Sequence, residues 1–323
     1  MMARLAWIWL VLALTTAALA CDRAADTSAA VHPAPTIDRA ALDVPIDGAV
    51  EAAEPGTTLS VWLGPPVGAA WYARDADVSR PAASAIKTAY LIELFDAYAD
   101  RLDAPLAGID DALQPAHPAV VHFDEAQQEE IRRDLTSASV REIGHHMIRG
   151  TGVSNVVYNA AANVTTAVLG GPAELTRRIH ARDAAFAGLV SRRYMLAARD
   201  VTGDNEATAS SLAAVLQRIA AGQVAGVAPA TLEAMREVLA VEDQTGPDRH
   251  FFKSGWLDSD PLTRIHSGFW NTTSGTFVYV VMAERPDPGA LARDEAGRRL
   301  QSTVERVSEA VEGAARAALG SGS

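Results

Sequence analysis

The chain is predicted to adopt an α/β (α+β) fold, an antiparallel sheet flanked by helices, with an all-α lobe beside it. Three observations predict this. Strand patterns open the domain at Thr58–Leu63 and Gly68–Tyr72. A mostly helical stretch follows from about 103 to 238, and strand patterns return between 250 and 284 before a closing helix. Strands, then helices, then strands and a last helix bury their apolar faces most simply as one sheet with a helical lobe.

The first two strands are joined by Gly64-Pro65-Pro66, which reads as a hairpin connection. Residues 84–100 form an apolar helix of the kind that lies buried at the centre of a domain. Within the helical stretch the clearest periodic segments are Asp124–Leu135, Val140–Arg149, Ala173–Ala181 and Ala207–Ala221. His250–Leu257, Arg264–Asn271 and Thr276–Glu284 read as strands, and residues 291–318 as the closing helix.

At 323 residues, with 49% hydrophobic and 21% charged residues, the composition is that of a globular protein with a substantial core. The net charge of −12 argues against nucleic acid as a partner, since such a surface is basic. A monomer is expected.

The N-terminus has the features of an export signal over residues 1–20. Arg4 is followed by an apolar run from Leu5 to Leu19 and by the small residues Ala18-Leu19-Ala20. The run is shorter than the ~20 residues that span a bilayer. Cys21, the sole cysteine, comes next and resembles the lipidated cysteine of a bacterial lipoprotein. Residues 21–40 then read as a flexible tether, and 41–323 as the functional domain. The expected location is periplasmic, or on the outer side of the inner membrane through lipidated Cys21.

The chain has only two lysines, Lys87 and Lys253; every other member of the 28 Lys+Arg is arginine. Arginine cannot act as a proton acceptor, whereas a lysine can once burial or a nearby cation lowers its pKa. Lys87 ends Ser84-Ala85-Ile86-Lys87, and Lys253 begins Lys253-Ser254-Gly255. On a helix, Ser84 and Lys87 at i and i+3 share a face. A partly neutral Lys87 amine would then take the proton of Ser84, a nucleophile that needs an adjacent base. The plainer alternative makes Ser84 a helix cap and Lys87 a solvent-exposed residue. Both lysines falling in such contexts is roughly a one-in-a-thousand coincidence.

Ser84-x-x-Lys87, Asn159-Ala-Ala-Ala-Asn163 and Lys253-Ser-Gly together resemble the three motifs of class A β-lactamases and penicillin-binding proteins. Pro81 to Lys87 and Asn163 to Leu175, with Gly170-Gly171-Pro172, extend the likeness, which covers roughly 58 to 318. The resemblance implies a two-lobed fold with the site between the lobes. It implies Ser84 as nucleophile, Lys87 as base, and Asn159 bonded to Lys87 and to the substrate amide. It implies Lys253 and Ser254 as the site of the substrate carboxylate, and no cofactor or metal. Gly255 would let substrate approach the strand. Trp256 would give an oxyanion-hole N–H together with that of Ser84.

Two departures from the family pattern stand out. Counting back from Asn163 puts Val157 where the family has a proton-relaying serine and Tyr158 where it has an aspartate. Ser154 or the Tyr158 hydroxyl would have to substitute. Residues 192–206 also lack the family's loop glutamate. Asp200, Asp204 and Glu206 are the carboxylates there, and they read as partners of neighbouring arginines. Weaker candidates are Trp256, Phe269 and Trp270 as pocket aromatics, and Arg264 for carboxylate recognition. His145-His146 lacks zinc-pair spacing. Three functions therefore compete: hydrolysis of a β-lactam through an acyl-serine, a penicillin-binding-like peptidase or esterase, and a non-catalytic binding lipoprotein with the same fold.

Overall fold

The computed structural model describes residues 37–320 apart from 54, 287, 288 and 290. The signal segment, Cys21 and most of the tether lie outside the described residues. Chain order is α1 (Arg39–Glu51), β1 (Thr58–Gly64), β2 (Tyr72–Arg74), β3 (Arg80–Pro81) and a 3₁₀ turn (Ala83–Ile86). Next come α2 (Lys87–Ala97), α3 (Ile109–Ala112), α4 (Glu125–Leu135), α5 (Val140–Ile148), α6 (Asn155–Val168) and α7 (Pro172–Arg182). After a second 3₁₀ turn come β4 (Glu206–Ala207), α8 (Ala209–Ala221), α9 (Pro229–Leu239), β5 (Arg249–Leu257), β6 (Leu262–Thr272), β7 (Gly275–Arg285) and α10 (Arg293–Gly320).

The main sheet is antiparallel with strand order β2-β1-β7-β6-β5. The sheet is covered on both faces, so its central strands read as nearly continuous apolar runs; β7 is buried from Phe277 to Ala283. One face packs on α1 and on the inner stripe of α10, Leu300, Val304, Val307 and Val311. Full burial of each such side chain contributes about 1.5–3 kcal/mol. The other face meets the helical lobe around α2, of which Lys87 to Phe95 are all buried. Buried Glu93 on α2 is held by Arg182 at 2.6 and 3.0 Å.

Several elements differ from their sequence patterns. The second strand is Tyr72–Arg74, not Gly68–Tyr72. Residues 65–71 instead form a loop in which Gly68 takes a φ of +112°, and Gln217 bonds the carbonyls of Pro65 and Gly68. The fold begins before residue 41: Asp38 caps α1, whose Leu42, Ile46 and Ala49 are buried. The apolar segment 84–100 begins as a 3₁₀ turn, and the α-helix starts only at Lys87. Ser84 is therefore not a helix cap. In a 3₁₀ turn, residues i and i+3 eclipse.

A two-stranded sheet, β3 with β4, joins the chain entering the Ser84 turn to the end of the 192–206 loop. Ala82 N–H adds a 2.7 Å bond to the Asn205 carbonyl. Arg80 anchors β3 from below, bonding Ser60 at 2.8 Å and Glu284 at 2.7 Å.

Candidate functional site

A cleft of about 930 Å³ opens between the β5 edge of the sheet and the helical lobe. Ser84, Tyr158, Asn159, Lys253, Ser254 and Trp256 all line it, and Lys87 lies just beneath. Ala83, one residue before Ser84, has a φ of +43°, a conformation costing about 1 kcal/mol or more for a residue with a side chain. Gly255 is needed for close approach. A Cβ there would lie 3.2 Å from the Ala82 carbonyl, the Ala83 side chain and the Ala85 nitrogen. The glycine thus brings β5 against the Ser84 turn, with Ser254 and Trp256 on either side.

Lys87 is completely buried, and its Nζ donates to Asn159 Oδ1 at 3.0 Å and to the Tyr158 carbonyl at 3.4 Å. Both contacts favour the ammonium, yet burial first, and repulsion from Lys253 second, push its pKa well below the ordinary lysine value. Lys253 is 5% exposed, and its amine has no hydrogen-bond partner among the described residues. Burial and the charge of Arg149 lower its pKa to about 7.

The anticipated Ser84–Lys87 hydrogen bond is not made. The Tyr158 hydroxyl faces Ser84 instead; burial raises the Tyr158 pKa to about 12, and the Ser84 side chain opposes that rise. The Tyr158 ring lies 3.3 Å from Lys87 Nζ and 5.0 Å from Lys253 Nζ, centroid to nitrogen. Gly150, at φ +66°, packs on this ring; a Cβ would fall 2.9 Å from it. Val157 points into the core, and Ser154 caps α6 through the Val157 N–H at 3.2 Å. Of Ser154 and Tyr158, the two groups expected to stand in for a serine at position 157, only Tyr158 meets Ser84.

Asn159 holds Lys87, but its Nδ2 donates to the carbonyl and side chain of Asn155, at 2.9 and 3.1 Å. The donor expected for a substrate amide is thus occupied. Asn163, one turn further along α6, binds the 192–206 loop. Its Oδ1 accepts from Met195 N–H at 2.5 Å and its Nδ2 donates to the Met195 carbonyl at 3.1 Å.

The loop lines the cleft through Arg193, residues 195–199, Asp204 and Asn205. Leu196, with a φ of +64°, is 52% exposed there. Asp204 is taken by Arg193 at 2.6 Å and Arg199 at 3.0 Å, and Glu206 by Arg192 at 2.8 Å. Exposed Asp200 does not line the cleft.

Trp256 is 58% exposed at the cleft rim, with the Arg264 guanidinium 5.1 Å from its ring. The other aromatic candidates lie elsewhere. Phe269 is buried and stacks on Phe251, and Trp270 stacks on His250 at 4.1 Å. Arg264 does not recognise a ligand either; it is held by Asp258 at 2.5 Å and by two backbone carbonyls. The cleft's unclaimed arginine is Arg149, at the end of α5. Sequence reading did not single it out, because an arginine closing a helix is an ordinary surface feature.

No family model and no curated protein matches this sequence. Solved structures do match in fold. A β-lactamase from Sphaerobacter thermophilus DSM 20745 is 17% identical with a TM-score of 0.62, over 85% of this chain and 96% of that one. A PBP-A mutant, solved as an acyl-enzyme complex with penicillin G, is 18% identical with a TM-score of 0.59, over 87% and 99%. The class A β-lactamase of the last common ancestor of Gram-negative bacteria is 17% identical with a TM-score of 0.60, over 84% and 99%. The chain has the fold of class A β-lactamases and PBP-A.

Proposed function

We propose that this protein is an exported serine hydrolase that accepts a β-lactam or related acyl substrate on Ser84 and releases it slowly. The observation that carries this reading is the placement of Tyr158, whose hydroxyl faces Ser84 and whose ring covers the buried Lys87 amine. Acylation needs an acceptor for the Ser84 proton. In the proposed step, Ser84 Oγ attacks the carbonyl carbon, its proton passes to Tyr158 Oη, and the Tyr158 proton passes over one bridging water to the uncharged Lys87 amine, which lies above the face of the ring. As the tetrahedral intermediate collapses, the same proton returns through Tyr158 to the leaving nitrogen. Tyr158 thereby takes the part that the family assigns to the serine absent at Val157. The backbone N–H groups of Ser84 and Trp256 supply the oxyanion site, and Lys253 with Ser254 faces the substrate carboxylate.

The loop supports slow release. Its one carboxylate in the cleft, Asp204, is bound by two arginines, and Leu196 faces the space beside it. No free carboxylate of that loop stands ready to activate water. This favours penicillin-binding-like or esterase behaviour over rapid β-lactam turnover.

The test treats the protein and its Ser84→Ala variant with a fluorescent penicillin and a chromogenic cephalosporin. Serine-dependent labelling with little turnover is expected. Rapid serine-dependent turnover would mean that another group activates water. Absence of labelling in folded protein would reject β-lactams as substrates. Export and lipidation at Cys21 belong to the same proposal. They are checked by mass spectrometry of the membrane fraction, in which the Cys21→Ala variant is expected to lack the lipid.

A further inference from the structure

Two cationic side chains of the cleft lack an anionic or hydrogen-bonding partner among the described residues. The wall carries Arg149, Arg193, Arg199 and Lys253 against the carboxylates Asp204 and Asp258. Arg193 and Arg199 are consumed by Asp204, and Asp258 by Arg264. Arg149 makes no side-chain hydrogen bond or ion pair among the described residues, and neither does the buried Lys253 amine. The two belong to different lobes, Arg149 to the end of α5 and Lys253 to β5.

A buried ammonium without a counter-charge is costly, and a second cation beside it adds to the cost. In a chain of net charge −12, placing two uncompensated cations in one cleft is best explained by an anion that occupies the space between them. The strand arginine that could have served, Arg264, is turned away and neutralised.

We propose that Arg149 and Lys253 form an anion clamp across the two lobes, holding a carboxylate of the acyl substrate. The clamp rests on the proposed function for its substrate class and goes beyond it in assigning specificity to Arg149. It selects acidic substrates over their neutral esters, and it ties the helical lobe to the sheet when the substrate is bound. Arg149 is the specificity-determining half, because the planar guanidinium can engage both carboxylate oxygens.

The experiment measures equilibrium binding rather than acylation, so the clamp is judged separately from the chemistry. The Ser84→Ala protein is titrated with benzylpenicillin and with its methyl ester by isothermal calorimetry, alone and combined with Arg149→Ala or Arg149→Lys. The clamp predicts that Ser84→Ala prefers the acid and that Arg149→Ala lowers the acid-to-ester ratio about tenfold, near the ~1.4 kcal/mol of one charge-assisted contact. It also predicts that Arg149→Lys restores part of the ratio. An unchanged ratio in Arg149→Ala, equal binding of acid and ester by Ser84→Ala, or no binding of the acid would each overturn it. Labelling of Ser84 in the unmodified protein decides the proposed function independently of these outcomes.

Discussion

The two walls of the cleft are built to different standards. On the wall formed by the Ser84 turn, α6 and β5, the polar groups converge on one point. Ser84 meets Tyr158, Lys87 is fixed by Asn159, and Gly255 thins the strand so that β5 reaches the turn. On the opposite wall, the 192–206 loop is fixed just as firmly but presents Leu196 and a carboxylate locked by two arginines. Under the proposed function, one wall serves the forming of an acyl-serine, while the other offers no free loop carboxylate to hydrolyse it. A shared fold therefore says little about turnover, because the Ser84 turn and the 192–206 loop are separate segments that can differ independently.

The largest effect should come from removing the nucleophile. Ser84→Ala is expected to abolish covalent labelling by a fluorescent penicillin. Next, Tyr158→Phe keeps the ring over both lysines but removes the hydroxyl. Labelling should slow by about 10²–10⁴-fold, the range for a lost proton-transfer group. If Lys87 acts on Ser84 directly, labelling in Tyr158→Phe will stay near the original rate.

The contrast between walls can also be broken from the loop side. Leu196→Glu places a carboxylate in the cleft where none is free. Release of the acyl group, followed by mass spectrometry, should accelerate at least ~10-fold if the absent base limits turnover. Asn163→Ala removes the two bonds that hold the loop to α6 and the one from α6 to the Ala119 carbonyl. It should destabilise the protein by about 1–3 kcal/mol in urea unfolding.

The smallest effect is on pH. Lys253 has a pKa of about 7 in the folded protein, against ~10.4 for an unfolded lysine, so only the unfolded chain binds that proton between these values. Stability should therefore rise with pH from about 7 to 10, and Lys87 acts in the same direction. Lys253→Met should flatten this slope in thermal melts across that window. Affinity for an anionic substrate should run the opposite way, falling as pH rises beyond 7 and Lys253 loses its charge.

Much of this was legible in the sequence. Alternation and turn residues located the returning strands within two residues, and the closing helix likewise. The scarcity of lysine located both amines of the site. What escaped was set by long-range packing. Nothing local distinguishes Tyr158, which aims at Ser84, from Val157 beside it, which enters the core. The 3₁₀ start of the Ser84 segment depends on β3–β4 pairing and on Ala83 at positive φ, neither of which has a periodic signature. Arg149 matters only because α5 ends opposite β5. Phe269 and Trp270 have the right composition for a pocket but lie on strand positions that pack away from the cleft.

Both lysines are inside the protein, one wholly buried and one 5% exposed, and no third exists. The folded domain therefore presents no lysine amine on its outer surface, only Lys253 within the cleft. A small succinimidyl ester should reach only Lys253, from within the cleft, and a lysine-specific protease should find no accessible cleavage point until the chain unfolds. Reaction at Lys253 then becomes a built-in gauge of whether the cleft is empty or filled, readable by peptide mass without any mutation.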